Sequence, residues 1–125
     1  MNVSESELGF AEVMRRLLEA IERRKLTVFA RIDHAGAARQ AGLELADEEL
    51  VIFGNPSAGT PLMQGDPRSG IELPLRILVW RAGTGAQIGY LDPRELARRY
   101  DVDQHQTTLE AMAKLLGDIV AEAVA

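Results

Sequence analysis

Cysteine is absent from the 125 residues of this chain. Disulfide bonds, catalytic thiols, zinc–thiolate sites and iron–sulfur clusters are therefore excluded. Lysine is scarce as well, because only Lys25 and Lys114 stand among the 14 basic residues. Acidic residues are in excess and give a net charge of −5. We expect neither nucleic acid nor an anionic membrane as a partner, since phosphate binding needs a basic surface.

Long apolar runs are also missing from the sequence. No stretch approaches the roughly 20 residues that a helix needs to cross a bilayer. The N-terminal segment carries acidic side chains early and has no continuous apolar centre, so we do not expect a signal peptide. The length suffices for one domain with its own core. We therefore expect residues 1–125 to form a single soluble domain in the cytoplasm.

Apolar residues recur at helical spacing near both ends of the chain. Between residues 5 and 24 they follow the period of an amphipathic helix, and Ser4 with Glu7 forms a capping-box pattern before them. Thr107 with Glu110 repeats the pattern before the last apolar segment. The sequence thus predicts two long helices, each started by a capping box.

Four segments between these helices have the composition of β-strands. Strands grouped between terminal helices favour an α+β domain over a doubly wound parallel sheet. We expect a four-stranded, mostly antiparallel sheet with both long helices on one face. The predicted strands are residues 26–32, 50–53, 73–81 and 86–91.

Two short helices are signalled by their caps. Asp33 precedes residues 34–41 and Gly42 follows them, which predicts an aspartate N-cap and a glycine just beyond the helix end. Asp92 before Pro93 predicts a second short helix that ends near Arg99.

The densest run of turn-forming residues is FGNPSAGTPLM, residues 53–63. Its glycines adopt positive φ without steric cost, whereas its prolines fix φ and lack a backbone donor. We interpret the run as an ordered loop that ends in a short helix capped by Thr60, with Met63 packed into the core. Its backbone amides offer a site for an anion. An ordered crossover without any ligand is the alternative interpretation.

Candidate binding residues lie in this run and after the first predicted strand. Asp33 beside His34 suggests a general base oriented by a carboxylate, or a metal ligand, although a helix cap followed by a first-turn histidine is the simpler explanation. A haem would take His34 or Met63 as an axial ligand. We expect no cofactor and no metal site, because three or four ligating side chains do not cluster in the sequence. The candidate ligand-binding residues are Asp33, His34, Asn55, Ser57, Thr60 and Met63.

The strand predicted at 73–81 has apolar side chains on both faces. Apolar residues mixed with arginine on the face away from the helices are typical of interfaces and ligand pockets. We expect a homo-oligomer, a dimer or larger, with Trp80 or Phe29 in the contact. The residues predicted to face away from the helices are Phe29, Arg31, Arg76, Leu78 and Trp80.

Six short motifs follow one another along the chain: TVFARIDH at 27–34, ARQAGL at 38–43, FGNP at 53–56, GTPLM at 59–63, LPLR at 73–76 and YLDP at 90–93. Their order resembles the domain-of-unknown-function 302 family. The resemblance implies a β-α-β(4)-α plan in a small, often self-associating protein, and it implies no activity. Members of the family usually begin with a short strand before the first helix. In this chain we expect that strand to be shortened or absent, because only three residues precede Ser4.

The sequence therefore favours a domain that binds a small ligand or a protein and forms a homo-oligomer, without established catalytic activity. The alternative is a small enzyme or a haem- or metal-binding protein. Its site would lie between Asp33-His34 and residues 54–60.

Overall fold

A computed structural model describes every residue from Met1 to Ala125. The elements are β1 Asn2–Ser6, α1 Phe10–Arg23, β2 Thr27–Asp33, α2 His34–Gln40, β3 Glu48–Gly54, α3 Pro56–Gly65, β4 Leu75–Ala82, β5 Gly85–Tyr90, α4 Leu96–Arg99 and α5 Gln106–Val124. The strands form one sheet in the order β1-β5-β4-β3-β2, and every neighbouring pair is antiparallel. No helix has both the length and the apolar character of a membrane span.

The α+β class is confirmed, but the sheet has five strands rather than four. The additional strand is β1, which pairs with β5 from Asn2 opposite Tyr90 to Ser6 opposite Ala86. The short first strand implied by the family resemblance is thus present, at an edge of the sheet. Its partner lies more than 80 residues away in the sequence, so no local pattern predicts it.

Both predicted capping boxes are wrong. Ser4 belongs to β1, and α1 begins at Phe10 behind Gly9, which has no side chain to cap it. The last helix, α5, begins at Gln106, and no side chain caps its first turn. Because neither helix has a capped start, both depend on the burial of their apolar faces.

The run at 53–63 is mostly helical rather than a loop. Asn55 is the N-cap of α3, since its Oδ1 accepts a hydrogen bond from the backbone N of Ser57 at 2.9 Å. Pro56 occupies the first helical position, where no backbone donor is needed. Thr60 consequently lies inside the helix, and the cap predicted at that residue is wrong.

The two short helices are confirmed together with their caps. Asp33 Oδ1 accepts from the backbone N of Gly36 at 2.9 Å, and Gly42 has a φ of +78° just past the end of α2. Asp92 Oδ1 accepts from the backbone N of Arg94 at 3.0 Å, in the turn that leads into α4.

The hydrophobic core lies between the sheet and the helices α1 and α5. Alternation along β4 is confirmed, because Ile77 and Val79 are fully buried while Arg76, Leu78 and Trp80 are only half-buried. This strand therefore has one face covered by the helices and one face turned away from them, as predicted.

A bulge in β2 changes which of its side chains share a face. The pairing register shifts at Phe29, after which Arg31 lies opposite Val51 on the side of the helices. There Arg31 Nε donates to the carboxylate of Glu49, which is almost fully buried, at 2.5 Å. The prediction that Arg31 faces away from the helices is wrong, and Ile32 occupies that face instead.

Ion pairs join the two long helices. Arg24 donates two hydrogen bonds of 2.9 Å to the carboxylate of Glu122 in α5, and Arg23 adds a third of 2.7 Å. These arginines lower the pKa of Glu122 to about 2. The carboxylate therefore stays ionised in the folded chain over most of the acid range.

Candidate functional site

Asp33 and His34 form a helix start rather than a catalytic pair. The Asp33 carboxylate is used as the cap of α2, and it lies so close to Gly36 that a Cβ there would come within 2.4 Å of Oδ2. No hydrogen bond joins the carboxylate to the half-buried His34 side chain. The simpler of the two sequence interpretations therefore describes this geometry.

The structure does not bring Asp33 and His34 together with residues 54–60. In the pairing of β2 with β3, Thr27 lies opposite Gly54 while Asp33 lies opposite Glu49. Six residues of extended strand separate the two ends, a distance of about 20 Å. A site shared by these two segments is therefore not formed in the chain.

The first-turn amides of α3, which belong to the anion site suggested by the turn-rich run, are used within the chain. Pro56 has no N–H, and the amide of Ser57 bonds to the Asn55 side chain. The amides of Ala58 and Gly59 both donate to the carbonyl oxygen of Asn55, at 2.9 and 3.1 Å. Because the amides of Ser57, Ala58 and Gly59 are used within the chain, they do not form an anion site at the start of α3.

Three of the predicted binding residues do meet in space. Asn55, Thr60 and Met63 line a cavity of about 360 Å³ beside α3, which we call the α3 cavity. Met63 is 36% exposed there, so the prediction that it packs into the core is wrong. Its neighbour Leu62 is the buried residue of this helix. The other lining residues are Phe29, Gly54, Pro56, Gly59, Leu73, Pro74 and Leu75.

The face of the sheet turned away from α1 and α5, here called the open face, has an apolar middle row. Its members are successive partners in the register, so they cross all five strands in one line. Ile32 and Val3, at the two edges, are 39% and 48% exposed. The row consists of Ile32, Leu50, Leu78, Gly89 and Val3.

The rows on either side of this apolar row carry opposite charges. On one side Glu48, Trp80, Gln87 and Glu5 are successive partners, and on the other Ile52 lies opposite Arg76. Trp80 Nε1 donates to Gln87 Oε1 at 2.9 Å, and Gln87 Nε2 donates to Glu5 Oε1 at 3.0 Å. The open face therefore has a negative side and a positive side.

Arg76 is half-buried and has no partner of opposite charge. It lines a gap of about 160 Å³ that opens where β4 and β5 separate beyond the pair Leu78–Gly89. The other arginine in this gap, Arg99, is paired with Glu72 at 3.0 Å. An arginine without such a partner is suited to an external carboxylate or an aromatic face.

A different carboxylate, Asp66, is buried but has a structural role. It accepts hydrogen bonds from the guanidinium of Arg68 and from the backbone N of Asp101 and of Arg68, which together hold its pKa well below the usual range. Its oxygens are thus used to join two connecting segments. No group of three or more metal-binding side chains is brought together anywhere in the chain.

Sequence reasoning missed most walls of the α3 cavity and the negative row of the open face. Phe29 reaches the cavity from β2 and Pro74 from the segment before β4, which no local pattern reveals. The signal that was present is Asn55 before Pro56, a cap and first-position pair that predicts a helix start at this place.

Proteins similar to this chain include two bacterial ion channels. It is 40% identical over 99 residues to the fluoride-specific ion channel FluC 1 of Brucella suis biovar 1 (strain 1330) and, equally, to that of Brucella abortus biovar 1 (strain 9-941). The match covers 78% of this chain but 39% and 37% of those relatives. The chain therefore spans about two-fifths of their length.

The fold is shared with a solved structure of low sequence identity. The uncharacterized conserved protein DUF302 from Bacillus stearothermophilus superposes with a TM-score of 0.86 at 16% identity, over 98% of this chain and 96% of that chain. A family model matches residues 2–121, which is nearly the whole sequence. The chain belongs to the family described as domain of unknown function DUF302.

Proposed function

We propose that this domain is a self-associating module whose open face packs against the open face of a second copy. The observation that carries the proposal is the apolar row across all five strands, in which Ile32 and Val3 are exposed, Leu50 and Leu78 are half-buried and the exposed Met1 side chain lies over Gly89. A continuous apolar patch of this kind is uncommon on a monomer surface. A symmetric pair would bury the patch with the same residues from both copies.

Charge favours one arrangement of the two copies. A two-fold axis along the apolar row would lay Arg76 of one copy over Trp80 of the second copy and close to its Glu48. An axis along β4 would instead bring Arg76 against Arg76. The first arrangement combines a cation–π contact with an ion pair, whereas the second is repulsive. Arg76 and Glu48 have no ionic partner within one chain, and in this arrangement they would form an ion pair between the two copies.

Light scattering on a size-exclusion column tests the proposal. Wild-type protein at micromolar concentration is expected at twice the chain mass of 13.7 kDa. Trp80→Asp and Ile32→Glu should both shift the mass toward the monomer, because each puts an unpaired charge in the apolar contact. Ala111→Asp, on the exposed side of α5, is the matched control and should remain dimeric. A monomeric wild type would refute the proposal.

Charge reversal tests the orientation of the two copies. Arg76→Glu and Glu48→Arg should each weaken the dimer, since each places like charges together. The double variant exchanges the two ends of the face and should restore the dimer. Loss of the dimer in the double variant, with both single variants folded, would refute this orientation.

The named relatives support a second candidate, an accessory role beside a membrane channel. In the Brucella relatives a segment similar to this chain belongs to proteins named as fluoride-specific ion channels. If such a domain self-associates, it would hold together two copies of any longer chain that contains it. The domain would lie on the cytoplasmic side, as expected from the sequence. Deleting the matched segment from the Brucella suis relative and measuring fluoride efflux from vesicles tests this role, and unchanged efflux and oligomeric mass would refute it.

A further inference from the structure

The α3 cavity has apolar walls and no charged residue in its lining. Phe29, Met63, Leu73 and Pro74 supply side-chain surface, and all ten lining residues are uncharged. Phe29 is 50% exposed, although an aromatic ring of that size would normally be covered. With about 360 Å³, the cavity is within the range that binds small molecules.

Two polar groups on the cavity lining have hydrogen-bonding capacity that the chain does not use. Asn55 Oδ1 accepts from the backbone N of Ser57, so the other end of the carboxamide is the NH₂ group, and this makes no hydrogen bond within the chain. The Thr60 hydroxyl, one helical turn further, has no partner either. Apolar walls with a few convergent polar groups are the usual composition of a small-molecule site.

We propose that the α3 cavity binds a small, uncharged, mainly apolar molecule that carries an acceptor oxygen such as a carbonyl. The Asn55 NH₂ donates to this oxygen and the Thr60 hydroxyl donates to it or to a neighbouring group. A charged ligand is disfavoured, because the lining has no ionised partner for it. Fluoride falls under the same exclusion.

The site lies next to the proposed contact between copies and uses other residues. None of its lining residues belongs to the three rows of the open face, although Gly54 lies two residues from Ile52 on the same face of β3. Trp80→Asp separates the two proposals, because it changes the contact and leaves the cavity lining intact. A failure of one proposal does not imply a failure of the other.

Titration of ¹⁵N-labelled protein with benzamide tests the proposal by NMR. Benzamide is uncharged and combines an aromatic ring with a carbonyl. At millimolar concentration it should shift the backbone signals of residues 55–63 and of Phe29, in wild type and equally in Trp80→Asp. Benzoate, which has nearly the same shape and a negative charge, and sodium fluoride should leave these signals in place.

Two isosteric variants test the polar contacts. Asn55→Asp keeps the capping oxygen of α3 but removes the NH₂ donors, and Thr60→Val removes only the hydroxyl. Each should weaken benzamide binding by roughly three- to tenfold, the effect of one lost hydrogen bond. Thr107→Val, on an exposed position of α5, should bind as wild type does, and the spectra themselves report whether each variant is folded.

Several results would overturn the proposal. Absence of benzamide shifts, or shifts confined to other parts of the chain, would show that the cavity is not a site for this class of molecule. Equal binding of benzoate or fluoride at residues 55–63 would refute the preference for uncharged ligands. Unchanged benzamide affinity in both Asn55→Asp and Thr60→Val would refute the assignment of the polar contacts.

Discussion

The two faces of the sheet are built from the same strands, yet they lie in different environments. On the face covered by α1 and α5, Val51 and Ile77 have no exposed surface. Their neighbours along the same strands, Ile52 and Leu78, are half-buried on the open face. Both faces are apolar, so alternation along a strand does not by itself distinguish core from surface. The difference arises from α1 and α5, which pack on one of the two faces.

The two faces of the sheet also differ in how their charged side chains are paired. On the helix side, Arg31 is paired with Glu49, and the hydrogen bond raises the pKa of Arg31. On the open face, Arg76 and Glu48 have no ionic partner. Charged side chains are thus paired on the helix side and unpaired on the open face. Unpaired charges of both signs on one face favour binding of an external partner with complementary charges there.

Truncating one isoleucine on each face should give the largest difference in stability. Ile77→Ala removes a fully buried side chain and should lower the free energy of unfolding by about 2–5 kcal/mol. Ile52→Ala removes a half-buried side chain and should cost about 1 kcal/mol in the monomer. Urea unfolding of both variants measures this difference.

Unfolding measured at several protein concentrations extends the comparison of Ile52→Ala with Ile77→Ala. If a second copy covers the open face, the cost of Ile52→Ala should grow with protein concentration, because the variant loses dimer contacts as well. The cost of Ile77→Ala should stay constant. Equal costs for the two variants at low concentration would show that the two faces are covered alike within one chain.

How far the sequence predicts this molecule depends on the range of each interaction. The caps at Asp33 and Asp92 act within three residues and were read correctly. The pairing of β1 with β5 joins distant segments, so the sequence predicts Ser4 as the cap of a helix although it lies in a strand. The bulge at Phe29 leaves no signal in composition, and it moved Arg31 to the other face.

The candidate site was predicted in the same partial way. Asn55, Thr60 and Met63 are close in sequence and share a cavity, whereas the wall residue Pro74 comes from another segment. Asp33 and His34 follow the first predicted strand and residues 54–60 follow the second, so the sequence alone allows one site between them. Only the register of β2 against β3 shows that they lie at the opposite end of the sheet.

Removing one arginine from each face should have an intermediate effect. Arg31→Met leaves the Glu49 carboxylate almost buried without its ionic partner, and we expect a loss of about 1–3 kcal/mol. Arg76→Met removes no ion pair and no side-chain hydrogen bond within the chain, and it keeps a side chain of similar length, so it should change monomer stability by less than about 0.5 kcal/mol. Chemical unfolding at low protein concentration checks both values. If Arg76→Met lowers the free energy of unfolding as much as Arg31→Met does, Arg76 must have a stabilising partner within the chain.

The smallest expected effect concerns the ion pair that joins α1 to α5 on the covered side. The pKa of Glu122 is lowered from 4.5 to about 2, because Arg24 and Arg23 donate hydrogen bonds to its carboxylate. Above pH 4.5 this carboxyl is ionised in both the folded and the unfolded chain, and its stabilisation is complete. As the pH falls from 4.5 towards 2, the unfolded chain takes up the proton while the folded chain resists it, so the stabilisation is lost.

Glu122→Gln should therefore lower the melting temperature at pH 6, and the difference from wild type should shrink steadily between pH 4.5 and 2. The effect is small because the Glu122 side chain is 40% exposed and water screens the pair. Glu22→Gln removes the same charge from an exposed position of α1 that has no ion pair, so its difference from wild type should vary much less with pH. A Glu122→Gln difference that does not change with pH would show that the carboxylate stabilises the helix pair through packing rather than charge.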